Sequence, residues 1–278
     1  MKAPSLSSPR PNERRPTPPA LPDMIESYDA YFRSGLYHAR YPRPNRRTLR
    51  FVRRHLGQGG RLLDFGAGEG RYALDLAARD GARVLAVDVS PVARDLLAAE
   101  AARRGLADHL TVTDTHDAAY RDNALGSRAF DVALLGFGVL GHIAGRSERI
   151  AVLRAMRSSL KPGGRLIMGL PNAARRFRAA QAEAAPLVAA GTLEAGDILY
   201  SRGSEAGAIA LYYHLFRRDE ILADLAEAGF VVDRLTNEST LPERAVTTSR
   251  VLALLDDAVS AILPTRWGYG YLVVARPA

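Results

Sequence analysis

The sequence contains no cysteine. Disulfide bonds, thiolate zinc sites, iron–sulfur clusters and mechanisms that use a cysteine nucleophile are therefore excluded. It also lacks any apolar run of roughly 18 residues, so that a transmembrane helix is not predicted. The first residues carry charge but no apolar segment of signal-peptide type, and we expect a cytoplasmic protein without a membrane partner.

Apolar residues are also scarce at the start of the chain. Residues 1–22 are rich in Pro, Ser and Arg, and we predict that they form a disordered basic tail. The remaining residues, 23–278, contain enough apolar side chains for one α/β core with additions. The formal net charge of +8 favours an acidic partner but does not indicate a fold.

Acidic residues are missing between positions 30 and 63, a stretch that holds nine arginines. A helix over residues 45–56 would place its apolar side chains on one face. Its arginines would then share the opposite arc: Arg46, Arg47, Arg50, Arg53 and Arg54. This arc is interpreted either as a solvated helix face or as a stripe that contacts nucleic-acid phosphates.

A glycine-rich turn within residues 61–72 organises the rest of the chain. The apolar residues before Asp64 predict the end of a buried strand, and those from Tyr72 onward predict a helix. Between them the run from Asp64 to Gly70 is D-x-G-x-G-x-G, which lets backbone N–H groups and a helix N-terminus approach a ligand closely. A dinucleotide fingerprint would have a third glycine at position 71, where this chain has Arg71, and the NAD interpretation is disfavoured.

A second predicted strand, from Arg83 onward, ends in an acid, Asp88. Asp88 lies 22 residues beyond Gly66, near the spacing of about 20 expected for a carboxylate that accepts hydrogen bonds from ribose hydroxyls. Ser90 and Pro91 then predict the N-cap and first residue of a helix. A helix-capping role for Asp88 is the alternative.

Two more predicted strands are followed by loops that carry polar or small residues. Acids stand at positions 114 and 117 after the strand Leu110–Thr113, and the loop 136–142 follows the strand Phe130–Leu135. Ligands of open α/β sheets bind outside the carboxyl ends of the strands, so that we expect chemistry in this loop. His142 is its titratable residue, and a neutral imidazole can take a proton from an acceptor hydroxyl or amine. A structural hydrogen bond is the alternative role.

The last hundred residues exceed what a plain α/β core requires. Residues 173–190 predict a helix, the segment 197–216 predicts a hairpin, and 237–264 predicts an insertion with a further helix. No cluster with metal-ligand spacing is visible, and we expect no metal.

Together these motifs resemble those of class I S-adenosylmethionine (SAM)-dependent methyltransferases, over about residues 49–275. The D-x-G-x-G-x-G run, the strand-end Asp88, Asp117-Ala118 and the turn Lys161-Pro-Gly-Gly carry the resemblance. It implies an α/β, Rossmann-like sheet of seven strands, mostly parallel, with helices on both faces and strand seven antiparallel between strands five and six.

The resemblance also implies that SAM lies across the strand tips and leaves as S-adenosylhomocysteine. The residues implied to bind it are Asp64, Gly66, Ala67, Gly68, Gly70, Asp88, Val89, Asp117, Ala118 and Gly136. In this superfamily an acid after strand three contacts the adenine, and Asp117 is preferred here over Asp114. N-terminal segments of such enzymes fold over the cofactor, which implies a lid of residues 23–56 and cap insertions 173–216 and 237–264. The candidates for lid or acceptor contacts are Tyr37, Arg40, Tyr41, Phe137, Tyr213 and His214.

We therefore expect methyl transfer to O or N of a small molecule by in-line displacement, with His142 as the candidate base. One alternative is an RNA methyltransferase that uses the basic face Arg46–Arg54. It is favoured by Tyr213-His214-Leu-Phe216, which is similar to a segment of tRNA wobble-uridine carboxymethyl methyltransferases, although Gly141 stands where that group has a His. A SAM-binding protein without turnover is the other alternative.

Overall fold

Short apolar runs alternate with helical segments between residues 61 and 171, a pattern that builds a parallel sheet with crossover helices. The computed structural model describes residues 20–204 and 207–278, so that the predicted tail lies outside the described residues up to position 19. The strands are β1 (Arg61–Phe65), β2 (Arg83–Val87), β3 (Leu110–Thr113), β4 (Phe130–Leu135), β5 (Leu160–Pro171), β6 (Asp197–Ser204), β7 (Gly207–His214), β8 (Phe230–Ser239) and β9 (Gly270–Pro277). The α-helices are α1 (Met24–Arg33), α2 (Leu36–Arg40), α3 (Arg46–Leu56), α4 (Ala73–Asp80), α5 (Pro91–Arg103), α6 (Ala118–Asn123), α7 (Arg146–Ser159), α8 (Arg178–Ala189), α9 (Arg218–Glu227), α10 (Glu243–Thr248) and α11 (Arg250–Ile262).

Seven of these strands form the central sheet, in the order β3-β2-β1-β4-β5-β9-β8. Strands β1 to β5 run parallel, and β9 lies antiparallel between β5 and β8. One apolar core packs α3, α4 and α5 against one face of the sheet, and a second packs α7 and α9 against the other. The predicted seven-stranded fold, with its antiparallel last strand and helices on both faces, is confirmed.

Helix α3 turns its arginines toward acids of the chain itself. Arg47 is only 2% exposed, and its guanidinium donates to the Asn237 carbonyl at 2.8 Å and to Asp257 at 3.1 Å. Arg50 also pairs with Asp257, and Arg53 pairs with two acids of α4. The interpretation of this arc as a solvated face is wrong for Arg47, because α11 packs over it. Four of the five arginines have acidic partners within the chain.

The segments after β5 depart from the sequence prediction at two places. The helix predicted from Ala173 begins only at Arg178, because the Asn172 side chain accepts from the Ala174 N–H at 2.9 Å and holds a turn there. The insertion after β8 contains two helices rather than one, since Ser249 ends α10 and caps α11 by accepting from the Leu252 N–H at 3.2 Å. The predicted hairpin is present as β6 and β7.

Within residues 20–204 and 207–278, every helix is too short or too polar to span a lipid bilayer.

Glu238, at the end of β8, is buried with its carboxyl group beside Thr48, whose hydroxyl donates to it at 2.7 Å. Burial, reinforced by the nearby Glu243, raises the pKa of Glu238 to about 8. The folded chain thus keeps a proton that the unfolded chain releases, and the free energy of unfolding falls as pH rises through this window. We expect Glu238→Gln to remove this loss. The difference in free energy of unfolding between the variant and the wild type should then increase in favour of the variant, by up to about 1.4 kcal/mol per pH unit between pH 5 and 8.

Urea unfolding of both proteins across this pH range measures the difference, with Glu183→Gln, an exposed glutamate on α8, as the control. Parallel stability curves for wild type and Glu238→Gln would show that the Glu238 carboxyl ionises normally.

Candidate functional site

The glycine-rich turn after β1 is fastened to the end of β2. The Gly66 N–H donates to the Val87 carbonyl at 2.7 Å, and the Gly68 N–H donates to Asp88 Oδ2 at 2.7 Å. Both glycines have positive φ, and a Cβ at Gly66 would lie 2.5 Å from the Val139 side chain. The turn therefore needs glycine for its conformation and for close contact with the neighbouring loop.

Asp64 and Gly70 lie beneath this turn. Asp64 is 2% exposed, and burial raises the pKa of its carboxyl to about 7 although it accepts a hydrogen bond from the Ala73 backbone. A Cβ at Gly70 would lie 2.1 Å from Leu97 Cδ1 on α5. Gly70 thus permits the close helix packing that the third glycine of a dinucleotide fingerprint provides elsewhere.

Asp88 projects from the end of β2 into a cavity. Its Oδ1 accepts from the Ser90 N–H at 2.9 Å and its Oδ2 from the Gly68 N–H, which fixes the carboxylate in place. Burial raises the pKa of Asp88, against the lowering effect of these two N–H groups. The Ser90 hydroxyl itself caps α5 by accepting from the Ala93 N–H at 3.1 Å, so that Asp88 remains available for a ligand.

The cavity in front of Asp88 has a volume of about 300 Å³. The whole chain has 11 Tyr and 8 Phe, and nine of these line this one space. They are Tyr28, Tyr31, Phe32, Tyr37, Tyr41, Phe65, Phe137, Tyr200 and Tyr213. Such a wall excludes water and offers ring faces to a cationic or planar ligand.

Helices α1 and α2 form one side of this cavity. Asp29 on α1 accepts from the Ser90 hydroxyl, and the Phe32 ring lies 3.3 Å from where a Cβ of Gly68 would be. The guanidinium of Arg71 sits among rings of the same wall, 4.8 Å from the Tyr37 centroid and 4.5 Å from that of Phe137. Arg71, which replaces the third glycine, thus holds the amino-terminal segment against the turn.

The loop after β4 meets β7 at two of its glycines. A Cβ at Gly138 would lie 2.0 Å from the Tyr213 hydroxyl, and one at Gly141 would lie 2.6 Å from the His214 carbonyl oxygen. The absence of side chains lets Tyr213 lie directly on the loop. A histidine at position 141, as in the tRNA enzymes mentioned above, would need the space that β7 occupies.

His142 ends this loop and stacks on Tyr213, with ring centroids 4.2 Å apart and planes 14° apart. Its Nδ1 lies 2.9 Å from the Tyr212 carbonyl oxygen, which requires an N–H at Nδ1 and leaves the lone pair on Nε2. Desolvation lowers the pKa of His142 to about 4. The imidazole is therefore neutral at physiological pH and can accept a proton.

We expect His142 to titrate near pH 4, far below its ordinary pKa of about 6.5. Because the unfolded chain takes up this proton first, the free energy of unfolding should fall as pH is lowered from 6.5 toward 4. Histidine NMR titration measures the pKa directly. A His142 resonance that titrates near the ordinary value of about 6.5 would contradict the buried, neutral assignment.

The structure brings nine of the residues predicted from the sequence around this cavity: Gly66, Gly68, Asp88, Val89, Tyr37, Tyr41, Phe137, His142 and Tyr213. The other predicted residues lie outside its lining: Asp64, Ala67, Gly70, Asp117, Ala118, Gly136, Arg40 and His214. After β3 it is Thr115 that reaches the cavity, while Asp114 accepts from the N–H groups of residues 116 and 117 and Asp117 is exposed. Arg40 lies outside and donates to the Tyr41 hydroxyl at 2.9 Å.

His214 is buried behind the cavity wall. Its two ring nitrogens lie 2.6 Å from Asp197 and 2.6 Å from Glu220, and these carboxylates raise the pKa of His214 against the opposing effect of burial. Glu194, Asp197 and His214 have ligand-type atoms within 4.8 Å of one another. Glu194 is already paired with Arg149 at 2.7 Å, and the group is consistent with a hydrogen-bonded anchor for the hairpin.

The charged lining residues other than Asp88 were not predicted as site residues: Arg176, Arg202 and Glu243. Tyr28 was also not predicted individually, although it lies within the predicted lid, residues 23–56. The three charged residues lie in separate segments after β5, and only the folded chain brings them together.

A family model described as a methyltransferase domain matches residues 37–235, more than half of the chain. The chain belongs to this family. The methyltransferase uses SAM as its methyl donor, and the predicted class I family, enzyme class and cofactor are confirmed.

Solved structures with the same fold include several methyltransferases. The CcbJ methyltransferase from Streptomyces caelestis is 18% identical, with a TM-score of 0.59 over 85% of this chain and 91% of that one. A SAM-dependent methyltransferase from Methanosarcina mazei is 21% identical, with a TM-score of 0.59 over 82% and 96%. The 1,6-didemethyltoxoflavin-N1-methyltransferase from Burkholderia thailandensis is 20% identical, with a TM-score of 0.55 over 94% and 92%. No curated protein sequence matches the chain significantly.

The cavity fits SAM. The carboxylate of Asp88 has lone pairs left for two ribose hydroxyls, and Gly66 and Gly68 line the cavity beside it without side chains. The tyrosine and phenylalanine faces suit a sulfonium cation.

Proposed function

We propose that the methyltransferase moves the methyl group of SAM to an oxygen or nitrogen of a small molecule held between the loop 136–142 and the β6–β7 hairpin. One observation carries this proposal: a single cavity of about 300 Å³ includes both Asp88 and His142. That volume is at the lower end of the range for small-molecule sites, about 300–1,000 Å³. One structural neighbour, the 1,6-didemethyltoxoflavin-N1-methyltransferase, was solved with the small molecule 1,6-didemethyltoxoflavin bound, and this is consistent with a small-molecule acceptor here.

The proposed roles follow from the positions of the side chains. Asp88 accepts from the ribose hydroxyls, Gly66 and Gly68 admit the nucleoside, and the surrounding rings exclude water. Bound SAM would supply an electrophilic methyl group on its sulfonium, and the electron pair of the carbon–sulfur bond would remain on sulfur as the acceptor lone pair formed the new bond. The acceptor proton passes to His142 Nε2. Because the pKa of His142 is about 4, we expect its contribution at the lower end of the roughly 10²–10⁴-fold typical of general bases, with alignment as the larger effect.

We also propose that residues 23–56 act as a lid and that residues 173–216 and 237–264 form a cap. The lid proposal is supported by the contacts of Phe32 and Tyr37 above Gly68. The cap proposal is supported by Tyr213 and Arg176 from the first insertion and Glu243 from the second, which all line the cavity.

Incubation with methyl-labelled SAM and either a small-molecule extract or total RNA tests the acceptor class. We expect label in a low-molecular-weight product and none in RNA, because α3 uses most of its arginines in ion pairs within the chain. Transfer of label to RNA would refute the small-molecule assignment. The Asp88→Asn variant is the control, because label that it transfers as well as the wild type does would not depend on the proposed SAM site.

A further inference from the structure

Two arginines, Arg176 and Arg202, line the same cavity as His142. The guanidinium carbon of Arg176 is 5.5 Å from the Tyr213 ring centroid, and Tyr213 in turn stacks on His142. Arg202 follows Tyr200 by two residues on β6, and its guanidinium lies 4.8 Å from the ring of that tyrosine.

Only some of the hydrogen-bond donors of the Arg176 guanidinium have an acceptor among the described residues. It is 7% exposed, and its Nη1 donates to Glu243 Oε1 at 2.6 Å. Its Nε is buried without a hydrogen-bond acceptor among the described residues. An unsatisfied buried donor costs roughly 1–3 kcal/mol, more when it is charged, so that this guanidinium can gain from a further acceptor.

Around Arg176 and Arg202, the described side chains carry more positive than negative charge. Glu243 balances Arg176, but no carboxylate in the described part of the chain lies within ion-pair distance of Arg202. His142 contributes no charge at physiological pH. A purely structural ion pair between Arg176 and Glu243, which would connect α10 with the start of α8, would explain the position of Arg176. It would explain neither Arg202 nor the unpaired Nε of Arg176.

The rings around the arginines form a set of nearby faces. Phe177 lies 4.9 Å from Tyr200, and Tyr200 lies 6.2 Å from Tyr213. Because their planes are tilted by 45° and 49°, these rings offer both edges and faces to an aromatic ligand.

We propose that the acceptor of this methyltransferase is a planar, conjugated molecule with a negatively charged oxygen group, bound by Arg176 and Arg202 while its ring lies against Tyr200 and Tyr213. This inference rests on the small-molecule function proposed above. It makes the two arginines specificity-determining residues, because an uncharged analogue would leave both guanidinium groups without an acceptor.

Hydroxybenzoates and aminobenzoates, each paired with the corresponding amide, provide suitable probes. With the protein saturated by S-adenosylhomocysteine, we expect the acids to bind at least about tenfold more tightly than the amides in calorimetry at neutral pH, equivalent to about 1.4 kcal/mol. Arg202→Gln should reduce that preference and leave SAM affinity unchanged. The exposed Arg178→Gln is the matched control. The double variant Arg176→Gln/Glu243→Gln removes the other charge without leaving a buried carboxylate unpaired and should also reduce the preference.

Equal binding of acids and amides, no binding of any acid by protein that binds S-adenosylhomocysteine, or a preference retained in full in Arg202→Gln would each overturn this inference. Methyl transfer to a neutral or cationic small molecule would overturn it while leaving the proposed function intact. Absence of SAM binding, or transfer to RNA, would instead refute the proposed function.

Discussion

Replacing Asp88 by Asn is expected to weaken SAM binding about 100-fold, because a carboxylate that accepts charge-assisted hydrogen bonds from two hydroxyls contributes roughly 1.5–3 kcal/mol per bond. Asn offers one acceptor oxygen where Asp88 offers two, and its N–H₂ group faces a donor, either the Gly68 N–H or the Ser90 N–H. The effect should appear as a higher Kd in a protein that remains folded, since the Ser90 hydroxyl still caps α5.

Calorimetric titration with SAM and with S-adenosylhomocysteine measures this change. The matched control is Asp95→Asn, which alters an exposed acid on α5. Unchanged affinity in Asp88→Asn, with both proteins folded, would mean that the carboxylate only organises the turn. The assignment of Asp88 to the ribose would then be wrong.

Gly141→Ala is expected to disrupt the acceptor side of the cavity while SAM affinity stays close to that of the wild type. The new Cβ would lie 2.6 Å from the His214 carbonyl oxygen and 2.8 Å from Tyr213 Cε2. Both atoms belong to β7, and overpacking of this kind costs about 1–3 kcal/mol. The strain is relieved if β7 moves away from the loop, which separates Tyr213 from His142.

Three measurements follow this separation: the Tm should fall by several degrees, the pKa of His142 should rise from about 4 toward its ordinary value, and methyl transfer should fall at least about tenfold. Gly203→Ala is the control, because a Cβ at Gly203 meets no atom within 4 Å. A Gly141→Ala variant with normal transfer and a normal His142 titration would show that the contact between loop and hairpin is not needed for the reaction.

The parts of the site that could be predicted from the sequence depend on local geometry. The turn from Asp64 to Gly70 follows from glycine spacing, since three positive φ angles in so short a run leave few other conformations. Asp88 and His142 were placed by their position after a buried strand, because parallel strands bring their carboxyl ends to one edge of the sheet. Asp117 was proposed from the family resemblance, but Thr115 is the residue of this loop that lines the cavity, because the residues after β3 form a turn around Asp114.

The parts that could not be predicted depend on contacts between distant segments. Arg176 and Glu243 are 67 residues apart in sequence and meet only because α10 packs beside the start of α8. Arg47 resembles its neighbours on α3, yet it alone is covered by β8 and α11. A helical periodicity specifies which residues share a face, but not which other element that face will meet.

The sequence alone predicted the glycine turn and the strand-end aspartate, because each is encoded by the spacing of residues within a short stretch of chain. The seven-stranded sheet and the family were implied by the resemblance of these motifs to class I methyltransferases. Only the tertiary structure decided which side chains enclose the cavity, that His142 is stacked and neutral, and that two arginines line the same space. Burial, and the pKa shifts and unpaired charges that follow from it, are properties of the packed chain, and spacing along the sequence does not encode them.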